Sequence, residues 1–469
     1  MIHVCALLPV VASLLALLFL RVPVWASAAI GAAVALVQYG FSGDEPIAWD
    51  EGAALLLTAA LVIVPGLALN GILEARGTHR ELAAWVGRVP LSAPWKTCLI
   101  VLGVGPALES LTGFGVSLLA TVPILMALSP PAVAVRQAVL GMAVVPWGAL
   151  GLPTLIGASQ SGYAPTALGT RTALLYLVLM PVVGALATSL GRDGARLLPS
   201  AWPGAVCGTG QALLLVATNA AELRAVAGVV SGAGVALAVL LPSLVRRAVP
   251  VPAWWAVAPY AAVLGLVVAG QSLVALEVPL DVCVPVGDAR LNPFVSPGVA
   301  LLVACLLFSR GGRGRPAVRA AWSSRRTVGA LGGFVLMAQV MDASGEITAL
   351  AAEINNAGPW AVSVLSPVLA LGSGFLTGSA TSGNALMMPV QASLGQPPGI
   401  GGLVPAVQNA GAGIAMLASL PTASLVLQVA GLSGRDAERS LIGFDLRLLL
   451  LFACLLAGCF GAVVLTSGG

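Results

Sequence analysis

Seven stretches of the chain are almost free of charge: Val4–Leu20, Val24–Phe41, Gly52–Ile72, Arg171–Leu190, Leu223–Leu241, Ala253–Leu276 and Leu446–Leu465. Each approaches or exceeds the roughly 18 apolar residues with which a helix crosses a bilayer. Segments of this kind cannot all be buried inside a water-soluble core. Only 9% of the residues are charged, where a soluble domain carries roughly 25%. The expected fold is therefore an all-α polytopic membrane protein. The first stretch has no basic start, and Arg21 and Pro23 follow it instead of a small-residue cleavage site. It reads as a retained helix rather than a leader.

The charges that remain sort into loops. Arg76–Lys96, with Arg80 and Arg88, is basic, and so are Arg192–Arg196, Arg246–Arg247 and Arg310–Arg326. Between them lie the acidic or uncharged loops Asp44–Glu51, Glu277–Asp288 and Glu346–Glu353. Placing the basic loops inside gives an outside N-terminus and about 12 spanning helices. It also requires two segments, about 97–135 and 358–398, to enter and leave on one side. Their Gly, Ser and Thr content suits re-entrant or broken hairpins. The loops leave no room for a second domain, so residues 1–469 form a single membrane transport domain. The pattern favours a bacterial-type inner (plasma) membrane. The net charge of +4 is loop charge and does not point to nucleic acid.

Three motifs occur twice in the same order. Leu73-Glu74-Ala75-Arg76-Gly77 returns as Met341-Asp342-Ala343-Ser344-Gly345. Gly103-x-Gly105-x4-Ser110-x-Thr112 returns as Gly372-x-Gly374-x4-Ser379-x-Thr381, and Leu152-Pro153-Thr154 as Leu420-Pro421-Thr422. Nearly constant spacing argues for an internal duplication, with repeat 1 at about 52–160 and repeat 2 at about 326–432. The loop at 75–96 is basic, whereas its counterpart at 344–358 carries Glu346 and Glu353 and no Lys or Arg. The two copies are therefore expected to have inverted topology. Such repeats, with interrupted helices, describe secondary transporters whose site lies where the copies meet.

The interrupted segments supply the candidate site. In the first, Pro106, Gly113 and Gly115 weaken the helix around Glu109, Ser110, Thr112 and Ser117. The second reads Gly378-Ser379-Ala380-Thr381-Ser382-Gly383-Asn384. Freed backbone groups and half-helix N-termini suit an anion. The expected substrate-binding residues are Ser110, Thr112, Gly113, Gly115, Ser379, Thr381, Ser382, Asn384, Asn409, Thr154 and Thr422. Glu109 is the carboxylate inside these segments, and an ionisable group at membrane depth is a functional candidate. Two readings stand for it, proton coupling and capping of a broken helix, and they can coexist. Trp147 reads as packing. The seven cysteines form no ligand pattern, and with two histidines, His3 and His79, no metal and no cofactor is expected.

At these residues the chain resembles the L-lactate permease family. That family's Glu-Gly-Ala-Ala-Gly-Phe-Gly is similar to Glu109–Gly115, and its Phe-Gly-Ala-Leu-Gly-x-Pro is similar to Trp147–Pro153. Its Gly-Ser-Asp-Thr-Ser-Ser-Asn-Ala-Leu is similar to Gly378–Leu386, and an Asn-then-Gly-rich stretch matches Asn409 to Pro421. The resemblance implies proton-coupled import of lactate, glycolate and related 2-hydroxymonocarboxylates, an elevator-like movement and a homodimer. Two positions depart from it. The family's Asp is Ala380 here, and its Lys before the final proline falls at Leu417. Without them, helix ends, amides and hydroxyls are left to hold the anion.

Other classes fare worse. A carrier for a different organic anion, or a Na⁺-coupled carboxylate transporter, is the alternative. Gly157-Ala-Ser159-Gln-Ser161-Gly162 has the outline of a serine-hydrolase turn, yet neither histidine is placed to act as its base. No P-loop is present for an ATP-driven pump. The expectation is a transporter with no catalytic residue, working on a small organic anion and a proton within the lipid bilayer.

Overall fold

The computed structural model describes all residues except 1–6, 21, 43–44, 114, 192–196, 276–283, 287–288, 292–295, 310–313, 397–400, 433 and 467–469. The basic loop 192–196, most of the acidic loop 277–288, His3 and Cys5 thus lie outside the described residues. The chain is an all-α polytopic membrane protein. Helices α1 (Leu8–Leu18), α2 (Val24–Ser42), α3 (Trp49–Ala75) and α4 (Thr78–Arg88) come first. Next are α5 (Ala93–Thr97), a π-helical stretch (Cys98–Val104), α6 (Gly105–Thr112), α7 (Val116–Leu128), α8 (Pro131–Leu140) and α9 (Gly148–Ser161). Then follow α10 (Pro165–Ser189), α11 (Leu197–Ala220), α12 (Ala227–Val245) and α13 (Trp254–Ala275). After a short antiparallel hairpin, β1 (Val284–Val286) with β2 (Ala289–Leu291), come α14 (Pro297–Phe308), α15 (Gly314–Ser323), α16 (Arg325–Ala343) and α17 (Glu346–Asn356). The chain closes with α18 (Pro359–Thr377), α19 (Ala380–Ala392), α20 (Leu403–Met416), α21 (Leu420–Val429) and α22 (Arg435–Thr466).

Among the described residues, seven helices are long and apolar enough to span a membrane, or up to nine if each of two bent pairs counts as one span. Shorter apolar helices, α7 and α14 among them, add to these. Large apolar side chains such as Leu57, Leu174, Leu213, Leu237 and Leu450 lie exposed on the outside of the bundle. Lipid welcomes that surface, whereas water would not.

Two apolar cores organise the helices. One gathers side chains of α2, α3, α14 and α16, including Ile63, Leu69, Phe334 and Met337. The other gathers α8, α10, α20 and α22, including Leu140, Tyr176, Val407 and Phe452. Helices α9 and α19 contribute to both, Ile156 and Met387 to the first and Ala158 and Met388 to the second. They therefore sit at the junction. Close packing in the second core depends on small residues: α10 crosses α11 where Gly184 meets Gly204, and a methyl on either would strike the other's carbonyl. Backbone approach of this kind replaces the hydrophobic drive that is missing between helices in lipid.

The helix succession of 49–161 has a counterpart at 325–429. Helices α4 and α17 both run eleven residues, and each starts after a left-handed glycine, Gly77 (φ 72) and Gly345 (φ 71). Helices α7 and α19 both run thirteen. Each follows a turn at a glycine of positive φ, Gly113 (φ 71) and Gly378 (φ 61), and packs back on the preceding helix, α6 or α18. Both segments expected to be interrupted are thus helical hairpins.

Candidate anion site

The interruptions fall where the backbone must turn positive. Helix α6 stops at Thr112, and Gly113 and Gly115 take φ of 71° and 75° before α7 begins. A Cβ on Gly113 would lie 2.7 Å from that of Ala149, so both conformation and space demand glycine. Pro106, in contrast, does not break the helix as expected. The preceding π-helical turn carries the chain into it, a wider turn that relieves the clash a proline otherwise makes with the carbonyl behind it. A third irregularity opens α9: Ala149, Leu150 and Gly151 have φ of 46°, 59° and 78°. Consecutive left-handed residues outside glycine are costly, and such strain clusters at functional sites.

These breaks surround a cavity of about 350 Å3. Six helices begin at its wall: Val24 of α2, Gly115 before α7, Gly148 of α9, Arg326 of α16, Ser379 before α19, and Pro421 of α21. Helix N-termini carry partial positive charge and unpaired N–H groups. In α19, Ser379 Oγ accepts the Ser382 N–H at 3.3 Å. The N–H groups of Ala380 and Thr381, also wall residues, have no partner among the described residues. In α21, Ser419 Oγ caps the Thr422 N–H at 3.4 Å. The wall is otherwise largely apolar, with Met142, Val145, Met416 and Leu425.

Glu109 is buried and caps α7. Its Oε1 accepts the Gly115 N–H at 3.0 Å, and its Oε2 accepts the Ser117 hydroxyl at 2.8 Å and the Ser117 N–H at 3.4 Å. Three donors converge on this one carboxylate, two of them backbone N–H groups at a helix N-terminus. The capping reading is thus observed directly, and the residue also borders the cavity.

The structure brings Glu109, Gly113, Gly115, Ser379, Thr381, Ser382 and Thr422 together on the cavity wall. Five other expected residues are not on it. Ser110 is turned toward Gly228 of α12, and Thr112 donates to the Leu108 carbonyl of its own helix at 2.7 Å. Thr154, Asn384 and Asn409 form a buried polar stitch behind the wall. Asn384 Nδ2 donates to Asn409 Oδ1 at 2.8 Å and to the Pro153 carbonyl at 2.9 Å. Asn409 Nδ2 donates to Thr154 Oγ1 and Thr172 Oγ1, each at 3.0 Å. These amides tie α9, α10, α19 and α20 together. Trp147 is fully buried, its Nε1 donating to Asn219 Oδ1 at 3.2 Å.

The sequence profile of the L-lactate permease family matches residues 294–466. The chain is thus similar to the L-lactate permeases over this stretch. It contributes α16, α18, α19 and α21 to the cavity, and with them Arg326, Ser379–Ser382 and Thr422. The Asp and Lys departures of the lactate permease resemblance map to the wall residue Ala380 and to Leu417, which is fully buried beside the wall residue Met416. A solved structure, that of the Alcanivorax borkumensis YdaH transporter, described as having an unusual topology, is 18% identical; the match covers 91% of this chain and 89% of that one with a TM-score of 0.44. That likeness is too remote to assign fold or cargo. No curated protein sequence matches the chain significantly.

The cation facing this cavity is not among the expected site residues. Arg326 ends the basic run Arg310–Arg326 expected on the inside, and it lies in the first turn of α16 and lines the wall. The signal available was an arginine in the first turn of a spanning helix, where a cation opposes the helix dipole.

A second cavity of about 610 Å3 lies at the other ends of α9, α16 and α19, between Gln160, Gln339, Asp342 and Ser393, with Glu51 and Thr58 of α3 completing it. Arg326 and Asp342 mark the two ends of α16, roughly 24 Å apart at 1.5 Å per residue. Between the cavities α9 meets α19 at Gly157, where a Cβ would lie 2.8 Å from Met388 Cε. Among the described residues no three His, Cys, Asp or Glu side chains come together as metal ligands.

Proposed function

We propose that the protein is a secondary active transporter of a small organic anion, taking up a 2-hydroxymonocarboxylate such as L-lactate or glycolate with a proton. The observation that carries this reading is the start of α19, where the Ala380 and Thr381 amides stand unpaired in a cavity ringed by helix N-termini. A carboxylate is what such a helix end binds.

Glu109 is the internal precedent. Taking 52–160 and 326–432 as inverted repeats, α7 and α19 are equivalent helices. The N-terminus of α7 is occupied by the Glu109 carboxylate, and that of α19 is open. The substrate's carboxylate would take at α19 the place that Glu109 takes at α7. Ser379, Thr381, Ser382 and Thr422 supply hydroxyls for a 2-hydroxyl group. Glu109, at the cavity edge and at membrane depth, is the proton-coupling group in this scheme: protonation removes its hold on α7 and loosens the hairpin. The two cavities at opposite ends of shared helices, with α9 and α19 in contact between them at Gly157, support alternating access in a multi-pass protein of a bacterial inner membrane.

The test is uptake of labelled L-lactate by proteoliposomes, with and without an imposed inward proton gradient. Saturable uptake driven by the gradient supports the reading. Gradient-independent uptake removes proton coupling. Absence of uptake, with stabilisation by a different anion, moves the cargo elsewhere.

A further inference from the structure

Only two charged side chains line the first cavity among the described residues, Glu109 and Arg326. They are in opposite situations. Glu109 is buried and fully engaged by Gly115 and Ser117. Arg326 is exposed at the mouth, and no ion pair or hydrogen bond holds its guanidinium to another described residue. Its neighbour Arg325 is differently placed, with its guanidinium 4.5 Å from the ring centroid of Trp322 and away from the cavity wall.

The position of Arg326 is electrostatically unfavourable for the protein alone. It sits in the first turn of α16, where the helix dipole repels a cation, and the first turn holds no acidic residue to compensate. Five further helix N-termini open on the same cavity. The positive potential of the site is therefore strongest where Arg326 meets it, and the low-dielectric walls of the bundle focus it. Pro23, Val24 and Trp25 of the facing α2 give the same mouth an apolar side.

We infer that Arg326 is the counter-charge that draws the anion into this cavity and holds its carboxylate, while the apolar rim at Pro23–Trp25 takes the carbon chain. The inference rests on the anion-carrier reading above. It supplies from the start of α16 the cation that is missing at Leu417. A guanidinium presents two parallel N–H donors to a carboxylate, so it fixes orientation as well as charge. Arg326 comes from the helix group of the first core and Thr422 from that of the second, while Ser379 opens α19, which belongs to both. A carboxylate shared between them is held by both groups at once.

The experiment uses the full chain in proteoliposomes with labelled L-lactate as probe, comparing wild type with Arg326→Gln, Arg326→Lys and Arg325→Gln. Arg326→Gln should raise KM at least about tenfold with little change in maximal rate. Arg326→Lys should recover most of that affinity, and Arg325→Gln should match wild type. Raising ionic strength should raise KM for wild type and leave Arg326→Gln nearly unchanged, a readout that a merely structural arginine would not move. An Arg326→Gln protein with wild-type KM and wild-type salt dependence overturns the arginine's role and leaves the transporter reading standing. Wild-type protein that neither takes up nor is stabilised by any short carboxylate overturns both.

Discussion

The Glu109 carboxylate accepts a 2.8 Å hydrogen bond from the hydroxyl of Ser117 across the glycine break between α6 and α7. This contact, with the two backbone donors beside it, closes the hairpin that walls one side of the cavity. Glu109→Gln keeps the shape but turns an amide group toward N–H donors, and it should cost about 2 kcal/mol. Ser117→Ala, which removes one donor, should cost about 1 kcal/mol. Thermal melting in detergent checks the order. Glu109→Gln should also flatten the pH dependence of uptake; concentrative uptake with an unchanged pH profile would remove Glu109 from coupling.

The amide stitch behind the wall separates stability from affinity. Asn409→Leu takes one hydrogen bond from each of Asn384, Thr154 and Thr172 in a buried site. Unsatisfied buried polar groups cost about 1–3 kcal/mol each. The variant should therefore melt several degrees lower, while protein that survives binds substrate with nearly wild-type KM. Thr381→Val, at the open helix end, should do the reverse.

Glycine contacts set the spacing of α10 and α11. Gly204→Ala should destabilise by about 1–3 kcal/mol, because its methyl strikes the Gly184 carbonyl. Gly210→Ala, on the same helix with nothing within 4 Å, should be neutral or stabilise by up to about 1 kcal/mol through helix propensity. Comparing the two melting curves tests the packing directly.

His79 should make the fold acid-sensitive. It lies on α4, outside the spanning helices, and burial lowers its pKa to about 4. Between the ordinary value near 6.5 and that lowered value, the unfolded chain binds a proton that the folded chain refuses. Stability is therefore full above pH 6.5 and falls as pH drops toward 4, by up to about 3 kcal/mol. His79→Gln should remove this part of the acid dependence, as read from melting temperatures at pH 7.5 and pH 5.

The membrane class, the helical hairpins and the positions of their breaks were legible in the sequence, because each depends on local properties. Apolar runs demand lipid, and glycines such as Gly113 and Gly378 mark backbone that other residues resist. Seven of the expected site residues do meet at one cavity. Local pattern misplaced Pro106, whose effect was absorbed by a π-helical turn. What tertiary structure alone decided is which polar groups face the cavity and which face each other. Asn384 and Asn409 carry the same chemistry whether they bind a substrate or one another, and only packing of α9, α10, α19 and α20 settles that they pair. Arg326 looks like loop charge until α16 is set against α2 and the hairpins, since a cation's role depends on what the fold brings within its field.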